Sequence, residues 1–247
     1  MLDLISSGRA SFRASARNSS LIRPVPRAPR LLPGRKRSGW VGFEGIVASG
    51  KTTQSRLLAE AIRSSSPELV PEFGDHELGR YLSEFGSPDM RLTPDGCDTS
   101  YVRHLLALAS HVQKLEEASR RAAKNVVLLD VATLTDAAYA LADLPADTGA
   151  ELRGRLLSAV GLLMSKVQPL PEGGILIYLD CDPKLAADRL TKRSGIEDQG
   201  RTDFLVRMHK AYGDLLHGRE EVRKVDADRA PDQVAEAVWS HVSHLFR

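Results

Sequence analysis

Apolar residues along this chain follow two alternating patterns, short unbroken runs and longer stretches in which they return every three or four positions. Residues 40–43, 126–130 and Ile175–Asp180 are near-continuous apolar runs, the last two ending in aspartate, and Val222–Asp226 repeats the pattern more weakly. Runs of that length, bounded by polar residues, predict central parallel strands buried on both faces. Residues 68–73 predict a further strand that ends near a carboxylate. Helical spacing takes over between the runs: Leu57, Leu58, Ala61 and Ile62 within 55–63, a short segment over 76–85, and Val102, Leu105, Leu106, Ala109, Val112 and Leu115 within a long helix over 95–124. Pro183 and Pro231 open two further predicted helices. Strands alternating with helices predict an α/β fold: a three-layer arrangement with a five-stranded parallel sheet, helices on both faces, and a ligand at the carboxyl ends of the strands.

The junction between the first strand and the first helix carries the strongest chemical signal. Gly45-Ile46-Val47-Ala48-Ser49-Gly50-Lys51-Thr52 fits G-x-x-x-x-G-K-[ST], a phosphate-binding loop, and it lies between a strand and a helix as that mechanism requires. The backbone N–H groups from Ala48 and Ser49 through Gly50, Lys51, Thr52 and Thr53 then converge on one concavity at a helix N-terminus. Unpaired donors and the helix dipole both favour a phosphate there. In such a loop Lys51 reaches the β- and γ-phosphates of ATP, and the Thr52 hydroxyl holds Mg²⁺.

Charge adds a division of the chain. Residues 1–39 hold eight Arg and one Lys against one Asp, while the remainder has 25 basic and 31 acidic residues, so a net charge of +2 conceals a basic tail on a mildly acidic body. Residues 1–38, rich in Arg, Pro and Ser with no sizeable apolar run, are expected to be disordered, leaving one domain over 39–247. Pro24, Pro26, Pro29 and Pro33 spoil the amphipathic helix of an import signal. A tail touching nucleic acid and a start codon placed too far upstream are the preferred readings. No run is long enough to span a bilayer. Cys97 and Cys181, without metal spacing or a disulfide framework, point to a reducing cytoplasm and to packing roles.

These residues together resemble the thymidylate kinase family of P-loop nucleoside monophosphate kinases, from about Gly39 to the C-terminus. Phe43-Glu44-Gly45 leading into Gly50-Lys51-Thr52-Thr53-Gln54 carries the likeness, with Leu179-Asp180-Cys181-Asp182-Pro183 and the downstream Arg189, Arg193 and Tyr212. Asp226-Ala227-Asp228 is similar to the family's adenine-side loop. The resemblance implies transfer of the ATP γ-phosphoryl to a deoxynucleoside monophosphate, dTMP or a related one. It assigns Lys51, Arg189 and Arg193 to catalysis, Asp228 to the ATP side, Thr52 and Asp130 to magnesium, and an arginine-bearing lid to about 193–202, which Arg201 could join. It also implies a homodimer. On the acceptor side it points to His111, Gln113 and Tyr139, to which the residues themselves add Arg103, eight positions before His111 on roughly the same helix face, and Glu72 and Phe73 at the end of the second strand.

The departures lie mostly on the acceptor side. Val47 stands where the family usually carries a loop acid, with Glu44 as a partial substitute. Val131 follows Asp130 where an arginine would bind the acceptor phosphate, and restoring that arginine is expected to raise activity if the site is merely eroded. His111 occupies the approximate place of a base-contacting arginine, where the residue alone allows either a ligand contact or a polar helix-surface histidine. Two other functions fit parts of the chain: a deoxynucleoside kinase with Glu72 as base for the sugar hydroxyl, and an ATP-binding regulatory protein with weakened turnover.

Overall fold

The computed structural model describes residues 39–72, 74, 76–78, 80, 99–132, 134–144, 149, 151, 154–155, 158, 174–195, 199–219 and 222–246; of 99–108 and 199 it describes the backbone alone. The predicted tail over 1–38 and most of the predicted helix over 76–85 lie outside the described residues. The strands are β1 (Gly39–Glu44), β2 (Glu68–Val70), β3 (Val126–Leu129), β4 (Ile175–Asp180) and β5 (Val222–Asp226). The helices are α1 (Lys51–Ala61), α2 (Thr99–Ala122), α3 (Thr135–Ala142), α4 (Pro183–Ser194), α5 (Gln199–Leu216) and α6 (Pro231–Val242).

All five strands are parallel, in the order β2-β3-β1-β4-β5. Strand β1 is central, paired at Gly42 with Leu129 on one side and at Glu44 with Tyr178 on the other. Helix α1 packs on β1 and β3 and against α6, while α2 packs on β3 and against α3, which packs in turn on α5, so that helices cover both faces of the sheet. The apolar runs of β1, β3 and β4 lie between these layers, with Val41, Phe43, Val127, Leu128, Leu129, Ile177 and Leu179 fully buried. At about 1.5–3 kcal/mol for each such side chain, this sandwich is the main stabilising term.

Strand β2 stops at Val70, three residues short of the predicted end, because Pro71 has no N–H to continue the ladder. Its carbonyl instead closes a turn with the Gly74 N–H at 3.0 Å. Helix α1 starts at Lys51, earlier than its apolar periodicity, since its first turn belongs to the phosphate-binding loop and is polar.

Candidate active site

Strand β1 delivers the chain into the loop with its last residue fully buried. Gly45, at φ 144°, has no room for a side chain, since a Cβ would lie 2.7 Å from both the Leu179 carbonyl and the Ser49 hydroxyl. Ala48 (φ 63°) and Gly50 (φ 105°) both adopt left-handed conformations that turn the backbone into the first turn of α1. Gly50 is the N-cap and provides no side-chain cap, so the N-terminal amides of α1 are left for an anion. The Lys51 ammonium folds back over the loop, donating to the carbonyls of Gly45 at 2.7 Å and Ile46 at 3.0 Å. Val47, the residue in place of a loop acid, is half-buried against the core.

Asp130 meets this loop from β3. It is buried, and its Oδ2 accepts the Thr52 hydroxyl proton at 2.9 Å while its Oδ1 accepts that of Ser55 at 3.2 Å. A hydroxyl that donates to the carboxylate keeps its oxygen lone pairs for a cation, and a hydroxyl–carboxylate pair is a hard-oxygen set that suits magnesium. Thr52 and Asp130, distant in sequence, are thus brought together.

Glu44 is not a substitute loop acid. Fully buried, it accepts the Leu134 N–H at 2.6 Å, the Thr135 hydroxyl at 2.8 Å and the Tyr212 hydroxyl at 2.9 Å. A carboxylate at the N-terminus of α3 offsets that helix's dipole and accepts the N–H of its N-cap residue, Leu134. Burial first, then the Glu44 charge, pushes the Tyr212 hydroxyl well above its ordinary pKa, so it remains a donor.

On the donor side, Arg189 donates to the Ala48 carbonyl of the loop at 3.3 Å and to the Ala227 carbonyl at 2.9 Å, joining the two segments that would flank ATP. Its Nη1 also lies 3.4 Å from the buried Cys181 thiol, whose pKa burial pushes up to about 12, in keeping with a packing role. Asp228 accepts the Asp182 N–H at 2.8 Å, and Asp182 caps α4 through the N–H groups of Lys184 and Leu185. Arg193 is exposed on the last turn of α4. Arg201, expected in the lid, is instead buried and donates to the Ser194 hydroxyl at 3.2 Å, tying α5 back to the end of α4. Residues 196–198 of the predicted lid lie outside the described residues.

Of the residues expected on the acceptor side, His111 lies on α2, Tyr139 on α3 and Glu72 just after β2. His111 is buried, with Nδ1 3.4 Å from Asp136 Oδ2 on α3, and its Nε2 has no hydrogen-bond partner among the described residues. Burial, reinforced by the nearby Lys114 ammonium and opposed by the Ala132 backbone, holds His111 well below its usual pKa, so the ring is neutral. Its burial excludes a polar helix-surface histidine. Gln113 is exposed on another face of α2, so the structure does not bring it to His111. Tyr139 is buried against the Phe204 ring, with centroids 5.5 Å apart, and Glu72 is half-buried just beyond β2. Phe73 and the side chain of Arg103 lie outside the described residues.

Sequence reasoning missed Lys114. Fully buried, it donates to the carbonyls of Glu72 at 2.7 Å and Val131 at 2.8 Å. Burial lowers its pKa to about 8, against the raising influence of Asp136, Glu72, Glu44 and Asp130. Its only sequence signal is its place one turn after His111 and beside the core residue Leu115.

A phosphate-binding loop at the end of the central strand, a threonine–aspartate oxygen pair and a 2-3-1-4-5 parallel sheet define a P-loop phosphotransferase. The family model described as thymidylate kinase matches residues 43–238. A thymidylate kinase of Synechococcus sp. is 31% identical over 226 residues, spanning 85% of this chain and 96% of that protein. One from Ruegeria pomeroyi is 28% identical over 216 residues, spanning 83% and 95%. Among solved structures, a Candida albicans thymidylate kinase superposes with a TM-score of 0.61 at 18% identity over 84% of this chain and 92% of that one, and an Ehrlichia chaffeensis thymidylate kinase with 0.58 at 19% over 83% and 99%. Those two likenesses establish the fold. The chain belongs to the thymidylate kinase family and is a nucleoside monophosphate kinase, an ATP-dependent phosphotransferase.

Proposed function

We propose that this chain transfers the γ-phosphoryl of ATP to the 5′-phosphate of dTMP, giving dTDP, with the roles of its residues as follows. The observation that carries the reading is the Thr52–Asp130 hydrogen bond, which joins the phosphate loop after β1 to the carboxylate after β3. The amides of 48–53 and Lys51 hold the β- and γ-phosphates. Arg189, already fixed between Ala48 and Ala227, lies beside the donor, and Arg193 adds charge from the next turn of α4. Asp228 shapes the adenine-side loop.

Thr52 and Asp130 would hold Mg²⁺, which when bound neutralises phosphate charge and polarises the transferred group. The acceptor lies beyond β2 and β3, bounded by Glu72, Phe73, Arg103, the neutral His111 and Tyr139. Such chemistry requires little beyond positioning and charge neutralisation. We place the activity in the cytoplasm and in a homodimer, the first from cysteine usage and the second from the resemblance. Among the described residues no helix is long and apolar enough to cross a membrane.

A coupled ADP-release assay with ATP and Mg²⁺ against deoxynucleosides and their 5′-monophosphates tests the reading. Turnover is expected on dTMP, and turnover confined to nucleosides would contradict it and make Glu72 the candidate base.

A further inference from the structure

Lysine is almost never fully buried unless its charge is matched, so Lys114 calls for a reason. Strands β2 and β3 pair up to Val70 and Leu129, and their last backbone bond runs from the Asp130 N–H to the Val70 carbonyl at 3.0 Å. Past that point the two chains are joined not by a ladder but by the Lys114 ammonium, reaching down from α2 to the Glu72 and Val131 carbonyls. One of these carbonyls belongs to Glu72 itself, and the other belongs to the residue that follows Asp130. Carboxylates on four other segments act on the same ammonium electrostatically: Asp136 on α3, Glu72 after β2, Glu44 on β1 and Asp130 after β3. His111 lies one turn away on the same face of α2, and His76 is anchored to that helix through the Ser110 carbonyl at 3.1 Å.

We propose that Lys114 is a positioning residue for the acceptor half of the site, its ammonium fixing the strand ends that carry Glu72 and Asp130 at the separation the acceptor monophosphate requires. This rests on the monophosphate kinase reading above. For stability alone a buried cation is a poor choice, because well-packed apolar side chains of similar volume commonly do as well or better. What an apolar residue cannot do is hold two carbonyls of adjoining strands at a set spacing where their own ladder has ended. Lys114 reaches the site from a helix, in a chain whose Val131 cannot supply charge from the strand. The donor half has anchors of its own besides Asp130, in the β1–α1 loop and in Arg189.

The test compares Lys114→Met, which removes both hydrogen bonds and the charge, with Lys114→Gln, which keeps an N–H donor without the charge. Steady-state rates on dTMP are measured together with affinity for a fluorescent ATP analogue, at a temperature where circular dichroism shows each variant folded. For Lys114→Met, kcat/KM for dTMP is expected to fall by about 10–100-fold with nucleotide-analogue affinity within about twofold of wild type. Lys114→Gln is expected to recover part of the loss, and it decides the matter if the methionine variant does not fold. A folded variant with unchanged kcat/KM for dTMP, or one that loses dTMP and ATP affinity equally, would overturn the proposal by reducing Lys114 to a general brace. A wild-type protein inactive on every monophosphate would instead remove the reading beneath it, and the proposal with it.

Discussion

The Thr52 hydroxyl donates to the Asp130 carboxylate across 2.9 Å, a contact between residues 78 positions apart. It fixes the geometry between the phosphate-binding loop and the end of β3. Asp130→Asn, which preserves shape but removes the charge, is expected to lower kcat by about 10²-fold or more, because preorganised charge at the transferred group is the main catalytic term. The magnesium dependence of the rate should move to higher concentration in the same variant. An Asp130→Asn enzyme with unchanged kcat and magnesium dependence would separate this carboxylate from the chemistry.

Glu44 illustrates a residue whose importance is structural. Glu44→Ala leaves the Leu134 N–H and the Thr135 and Tyr212 hydroxyls without their acceptor in a buried site. The expected cost is about 3–5 kcal/mol of unfolding free energy, read by urea denaturation. Glu44→Gln should cost less, since it keeps one acceptor oxygen.

The legible part of this molecule is its local part. The loop from Gly45 to Thr52, the aspartates at the ends of β3 and β4, and the five strands all announce themselves in short local runs of the chain. Glu44 could not be read this way, because its use depends on Tyr212, 168 positions away. Lys114 was hidden for a different reason: a lysine between apolar helical positions reads as solvated, and only the packing of α2 over the ends of β2 and β3 shows it buried. Arg201 could be placed near the end of α4 from sequence, but its burial and its bond to Ser194 depend on how α5 packs back on α4.

Val131→Arg, which from sequence should repair an eroded acceptor site, is expected to do the reverse. The Val131 side chain is buried and its carbonyl is already committed to Lys114, so an arginine there must force a larger side chain into a closed position and add a second buried cation beside Lys114. A loss of about 1–3 kcal/mol or more, with no gain in kcat/KM for dTMP, is expected from thermal unfolding and steady-state kinetics. A more active variant would show that the pocket has room for the missing group.

The acid limb of stability should depend on Asp180. Burial alone would raise its pKa, but hydrogen bonds from Lys224 and His209, at 2.8 Å each, and their charges outweigh that and hold it below the usual carboxylate value. A folded pKa below the unfolded one contributes stability that is complete above the unfolded value near 3.9 and is lost as pH falls through the folded one. Asp180→Asn should therefore flatten the decline in stability at and below about pH 4, and because the group is partly exposed the effect should shrink with added salt. An unchanged acid limb would show that this network does not contribute.

The most direct measurement is formation of dTDP from ATP, Mg²⁺ and dTMP, resolved by chromatography, with wild-type protein and Lys51→Ala side by side. The wild type should produce dTDP and ADP in equal amounts, and removal of the Lys51 ammonium from the loop should abolish both. Absence of dTDP from the wild type, or equal yield from Lys51→Ala, would contradict phosphoryl transfer at this loop.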